Sequence, residues 1–134
     1  MTPELQDKLK EKYPEQFKNL SWIECDDGWH DLLDNLFHVV DNHLDHKKRI
    51  NEPIESFGWS QIKEKFGGLR AYYHGGDEFI RGVIWMAESM SYNICEFTGE
   101  KGKLRKQRLD ENGQVIPAWM KTMCDREAEK QGYI

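Results

Sequence analysis

A chain of 134 residues is long enough to bury a core without disulfide or metal staples and short enough that one domain is the default expectation. Charged residues make up 32% and hydrophobic residues 38%, with 5 Trp, 5 Tyr and 6 Phe, too much aromatic surface for a disordered chain. The net charge of -5 argues against whole-surface attraction to nucleic acid, and no apolar run approaches the ~18 residues of a membrane span.

Three cysteines, Cys25, Cys95 and Cys124, are odd in number and follow no charged-then-apolar leader, which fits a reducing cytoplasm better than a secreted disulfide framework. Charge is unevenly spread. From Glu24 to Asp45 there are seven acids and no Lys or Arg, whereas Lys101, Lys103, Arg105, Lys106 and Arg108 fall within eight residues that hold no acid.

In chain order, Thr2-Pro3 predicts a helix start, and Leu5, Leu9, Tyr13 and Phe17 recur every fourth residue along one face. Pro14 is expected to break or restart that helix. After the short stretch Leu20 to Glu24, Asp27 or Gly28 is the predicted N-cap of the strongest helical pattern. Within it Trp29, Leu32, Leu33, Leu36, Phe37, Val40 and Leu44 share one arc, a core face. The opposite arc carries His30, Asp34, His38, Asp41 and Asp45. Side chains four apart on a helix can hold a divalent ion, but a solvated face is the better reading. His43, on the apolar side, is expected to be a packed histidine with a backbone partner.

Residues 47–56, with Pro53, read as a loop. The segment Phe57 to Tyr73 admits two structures. In the preferred one Ser60 caps a short helix with Trp59, Ile62 and Phe66 inward, Gly67 ends it, and Leu69 to His74 is a strand. In the other, Gly67 and Gly68 form the turn of a β-hairpin. Asp77 then caps a second long helix, with Phe79, Ile80, Val83, Ile84, Ala87 and Met90 inward, reaching about Tyr92.

Beyond it, Cys95-Glu96-Phe97-Thr98-Gly99 has the outline of a zinc knuckle with Thr98 in place of the second ligand. Asn112-Gly113 predicts a type I′ hairpin joining Arg108-Leu109 to Val115-Ile116. Cys124 and Glu127 stand three apart where a following helix should start, with Asp125 to cap it. Knuckle, hairpin and helix in that order predict a treble-clef-like finger at 95–134, attached to a helical α+β core at 1–94, the whole forming a single domain.

The chain resembles a family of small proteins encoded by bacteriophages and prophages. The resemblance rests on Gly28-Trp29-His30-Asp31-Leu32, on IKEKFGGLR at 62–70, on MAESMS at 86–91 and on the C-terminal knuckles, about three quarters of the chain. Members look like C-x-x-C-G followed by L-C-D-x-H-A, so the implied ligand positions are Cys95, Thr98, Cys124 and Glu127, two of them changed. A threonine is a poor zinc ligand, and Cys, Cys and Glu make a weak set, so no zinc and no other cofactor is expected. Cys95 and Cys124 then become small buried side chains, and packing through Phe97, Trp119 and Met123, joined by Met120 and Ile116, is expected to hold the hairpin.

No nucleophile-elbow, zinc-protease, P-loop or dinucleotide motif is present, and acids beside Cys25 disfavour its thiolate, so no enzymatic activity is expected. What the residues offer is binding. Lys63, Lys65 and Arg70 supply cationic donors and Tyr72 and Tyr73 supply stacking faces, the ingredients of a nucleotide or phosphate pocket.

The phage resemblance implies an accessory protein of the host cytoplasm that interferes with bacterial defence, by sequestering a nucleotide-derived signal or by blocking a defence protein. A nucleic-acid-binding finger using Lys101 to Arg108 is the alternative, and a metal enzyme using His30, Asp34 and His38 is less favoured. The acidic helix and basic hairpin also permit a homo-oligomer.

Overall fold

In the computed structural model, which describes residues 1–134, Pro3 opens α1 (Pro3–Lys12), and Pro14 ends it and restarts the chain as a single 3-10 turn, Pro14–Phe17. The remaining elements are β1 (Ile23–Glu24), a 3-10 turn Asp27–Trp29, α2 (His30–Arg49), β2 (Glu55–Lys65), β3 (Gly68–Gly76), α3 (Glu78–Ser91), β4 (Lys103–Leu109), β5 (Val115–Met123) and α4 (Asp125–Gln131). They make an α+β fold with a three-stranded mixed sheet in the order β1-β2-β3 and a separate β4-β5 hairpin. No helix is long and apolar enough to cross a membrane.

The predicted core arc of α2 is observed: Trp29, Leu32, Leu33, Leu36, Phe37 and Val40 are buried, and Leu44 packs against them. Phe37 is the hub of an aromatic cluster, 5.1 Å from Phe17, 5.4 Å from Trp59 and 5.8 Å from Tyr13, ring centre to ring centre. The buried polar groups in this core are paired. Trp59 Nε1 donates to Gln16 Oε1, and Gln16 Nε2 donates to the Phe37 carbonyl. Gln6 meets both the amide and the carbonyl of Ile23, satisfying β1 where no further strand lies.

Several local expectations are corrected. The expected helix after Ser60 is strand: β2 pairs antiparallel with β3, and the turn falls at Phe66 and Gly67, both at positive φ (54° and 82°), rather than at Gly67 and Gly68. The helical spacing of Trp59 and Ile62 has another origin. A β-bulge between Trp59 and Gln61 shifts the alternation by one, so residues three apart both face the core, and Phe66 lies exposed on the turn.

Neither Asp27 nor Gly28 caps α2. The Asp27 carboxylate accepts the Thr2 amide, and the 3-10 turn leads into the helix without a side-chain cap. Asn112-Gly113 does close the β4-β5 hairpin, but only Gly113 has positive φ, and Asp110 Oδ1 accepts the amides of Asn112 and Gln114, so the turn is not type I′. Asp125 is the first residue of α4 rather than its cap, and its carboxylate is held by Arg105 at 2.7 Å.

The predicted cap of α3 holds. Asp77 Oδ1 accepts the Ile80 amide. Its other oxygen lies 2.7 Å from His43 Nε2, and His43 stacks on Phe79 at 4.2 Å, so the packed histidine has a carboxylate partner and not the backbone partner expected. These contacts set α2 and α3 side by side and antiparallel, the N-terminal end of α2 tied to the far end of α3 where Trp29 Nε1 donates to the Ile94 carbonyl.

Candidate functional site

The β2-β3 hairpin, forced by the Phe66-Gly67 turn, sorts the predicted binding residues by face. Lys63 pairs with Arg70 and Gln61 with Tyr72, so these four share the outer face of the sheet. Tyr73 points the other way, its ring 5.7 Å from Phe57 and 6.4 Å from Trp59, and serves mainly as core. Lys63 faces Glu24 across the parallel register, and Lys65 lies at the hairpin end over the Phe66 ring. The five predicted residues therefore do not form one pocket.

What forms instead is a cleft of about 510 Å³ between β3 and α3, lined by Arg70, Tyr72 and Tyr73 from the strand and by Arg81, Trp85 and Glu88 from the helix. Lys63 and Lys65 do not line it. Residues 81, 85 and 88 follow helical spacing on the arc opposite the core, where a large aromatic such as Trp85 is out of place unless it has a role or a partner. That misplacement is the signal the sequence carried, but attention to the apolar arc alone passes over it.

The cleft is built rigidly on its strand side. Glu88 Oε2 accepts the Ala71 amide at 2.9 Å and Ser91 Oγ accepts the Leu69 amide at 2.9 Å, so α3 closes the free edge of β3. The Arg70 guanidinium bonds to Tyr92 Oη at 3.2 Å and to the Leu69 carbonyl. The Tyr92 hydroxyl, ahead of the opposing effect of burial, holds the Arg70 pKa above its ordinary value, with the Glu88 charge adding to it. Arg81 and Trp85 are held by few contacts: Arg81 has only a loose 3.7 Å pairing with Glu78, and Trp85 is 72% exposed. Together they offer two cationic donors and two aromatic faces around one concavity.

In the C-terminal segment the chain turns at Cys95–Gly99, with the Gly99 amide bonded to the Cys95 carbonyl. Burial pushes the Cys95 thiol up, but the Thr98 hydroxyl and the amides of Cys124, Thr98 and Phe97 turned toward the sulfur outweigh it and leave its pKa below the ordinary value. Thr98 Oγ1 also lies 3.6 Å from Cys124 Sγ. Glu127 instead accepts from Gln131 within α4. Two thiols and a hydroxyl, with the fourth residue turned away, do not make the tetrahedral set that zinc takes.

The packing expected around these cysteines is partly corrected. Met123 and Ala128 are buried with them and Phe97 packs alongside, but Trp119 is 83% exposed because β5 bulges at 118–120, where three residues face one. Met120 and Ile116 are only half-buried and lie outside that cluster.

The basic run also splits. Arg105 is buried, donating to the Met123 carbonyl and Asp125, whereas Lys101, Lys103, Lys106 and Arg108 are exposed. On α2 the stripe is engaged residue by residue: Asp34 accepts from Lys12 and Tyr13, His30 contacts Asp31, and His38 contacts Asn42. No three His, Cys, Asp or Glu side chains converge where they could hold a metal ion. Burial, followed by the Glu96 charge, drives the Cys25 thiol up to about 12, with Asp26 and Asp27 adding less.

One unanticipated charge cluster joins the two parts of the chain. Glu96 is buried, accepting the Asp26 amide at 3.1 Å, and Lys121 reaches both Glu96 (3.4 Å) and Glu64 (3.5 Å). Burial raises the Glu96 carboxyl to about 7 against the pull of Lys121. Comparison with known protein families, with curated proteins and with solved structures finds no match.

Proposed function

We propose that this chain is a phage-encoded accessory protein that works by binding, and that the β3-α3 cleft takes a nucleotide-derived signal of a bacterial defence system. The observation that carries this reading is the meeting of Arg70 and Arg81 with Tyr72 and Trp85 around one open concavity. Guanidinium groups recognise phosphate oxygens by paired hydrogen bonds, and aromatic faces stack a base without regard to its sequence.

The role assigned to each residue follows from its freedom. Arg70, tied to Tyr92, is a fixed donor; Arg81 and Trp85 close over the ligand, and Tyr72 supplies the opposite stacking face. Sequestration needs no chemical step, which agrees with the lack of any catalytic motif in the sequence. The larger concavity between α2 and α3 suits this ligand less well, since its lining is mostly apolar and includes Asp31 and Glu78 but no cation.

The C-terminal turn, hairpin and helix support a treble-clef-like finger that is held by side-chain packing. Its use as a nucleic-acid reader is the weaker alternative, because Arg105 is spent inside the fold and the chain carries a net charge of -5.

Calorimetric titration with cyclic nucleotides and ADP-ribose derivatives tests the proposal. At least one should bind to the wild-type chain, and both Arg81→Ala and Trp85→Ala should weaken that binding by about fivefold or more, as expected for the loss of ~1–3 kcal/mol of stacking or charge-assisted bonding. No heat with any of these compounds would rule out the small-molecule version and leave a defence protein as the target.

A further inference from the structure

The β3-α3 cleft has a direction. α3 runs antiparallel to β3, with Glu88 bonded to the Ala71 amide and Ser91 to the Leu69 amide, so residue 88 stands beside residues 70–72 while residue 81 lies towards the Gly76 end. Arg81 and Glu88 are roughly 10 Å apart along the helix, with Trp85 between them. Arg81 thus marks one end of the cleft, Tyr72 and Trp85 its middle, and Arg70 with Glu88 the other end.

Glu88 is the one acid that lines this cleft. A carboxylate is out of place where only phosphate has to be held, since like charges repel. Its Oε2 accepts the Ala71 amide, whereas Oε1 accepts nothing from the protein and is not sealed from solvent. Arg70 makes the opposite offer beside it. Of its five N–H donors, two are committed, to the Leu69 carbonyl and to Tyr92 Oη, and these bonds fix the guanidinium while leaving its other donors open. One end of the cleft therefore presents a free acceptor next to free, fixed donors.

We infer that the nucleotide held in this cleft carries guanine, with Glu88 accepting from N1–H and the N2 amine while Arg70 donates to O6 and N7. The inference rests on the nucleotide reading of the cleft and divides its two guanidinium groups, Arg70 to the base and Arg81 to the phosphate, with the ring stacked on Tyr72 and Trp85. Guanine sets a pair of acceptors beside a pair of donor groups, and paired bonds from arginine to O6 and N7 are the commonest specific contact to it. Adenine carries its one amine between two acceptors, so either Arg70 loses one of its two bonds or Glu88 meets a lone pair.

Calorimetric titration of the full chain with 3′,5′-cyclic GMP, its inosine analogue and 3′,5′-cyclic AMP tests this. The inosine analogue lacks only the N2 amine given to Glu88, so cyclic GMP should bind about tenfold more tightly than it, and more tightly than cyclic AMP, as expected for one bond to a charged group. Glu88→Gln keeps an acceptor for the Ala71 amide but puts an amine where the free oxygen stood. In that variant, with its fold checked by circular dichroism, the preference for cyclic GMP over the inosine analogue should disappear. Equal binding of those two to the wild type, or tighter binding of cyclic AMP, overturns the inference and leaves the nucleotide cleft standing. A preference that survives in Glu88→Gln overturns it too, as does an equal loss of all three nucleotides there, because Glu88 would then only support β3. No heat with any of the three also overturns it, and heat with an ADP-ribose derivative would then show that the nucleotide reading holds without guanine.

Discussion

Glu96 is a carboxylate whose environment moves its titration up to about neutral pH. Its neighbour Lys121 is shared with Glu64, so the attraction does not offset the loss of water, and the carboxyl titrates near 7 in place of 4.5. The raised value fixes the sign of a pH effect. Below pH 4.5 the group is protonated whether the chain is folded or not, and its contribution to stability is full. Between 4.5 and 7 the unfolded chain releases the proton first, so stability falls as pH rises, and above 7 the loss is constant. The loss amounts to about 3 kcal/mol as an order of magnitude. Urea unfolding of wild type and Glu96→Gln across this window should show the wild type losing stability relative to the variant as pH rises; parallel curves would refute the assignment. The sequence names Glu96 but gives no sign of this, because the burial comes from Asp26, Thr122 and Lys121, all distant along the chain.

At the scale of elements, α1, α2, α3 and the β4-β5 hairpin are legible because periodicity, proline and a capping aspartate all act within a few residues. β2 is not. Its bulge makes Trp59 and Ile62 imitate helical spacing, and a strand is fixed by its partner, here β3, and only weakly by its own residues. The Phe66-Gly67 turn keeps a trace of that tension. Phenylalanine at φ 54° is strained, while asparagine accepts this region readily and Asn-Gly is the favoured pair for a two-residue hairpin. Since Phe66 is mostly exposed, Phe66→Asn gives up little burial and should stabilise the protein by about 1 kcal/mol, seen as a raised denaturation midpoint. A lowered midpoint would mean that the ring contributes packing its exposure does not suggest.

For the whole molecule, the decisive feature is how the C-terminal segment is fastened. The Gly28 amide donates to the Glu96 carbonyl, the Glu96 amide to the Thr122 carbonyl, and the Thr122 hydroxyl to the Gly67 carbonyl, so one continuous set of bonds ties the turn to the helical body and to the β2-β3 turn. Gly28 permits this approach: a Cβ there would lie 2.2 Å from the Cys95 carbonyl oxygen. These bonds tie the segment to the body through protein groups alone. If the turn still keeps a ligand-ready form, Thr98→Cys combined with Glu127→His should take up one zinc per chain, measured by elemental analysis, while the wild type takes up none. Stoichiometric zinc in the wild type would show that the ligand set has been misjudged.

The sequence by itself determined that α1, α2 and α3 are helical, where α3 begins, that Asn112-Gly113 closes a hairpin, and that cations and tyrosines cluster on residues 62–73. Each depends on interactions between near neighbours. The tertiary structure alone decided that Arg70 and Tyr72 meet Arg81 and Trp85, that Lys63 and Lys65 stand apart from them, and that Arg105 is spent inside the fold. Those outcomes depend on strand pairing and on which helix covers the edge of β3, choices made by the burial of side chains far apart in the chain.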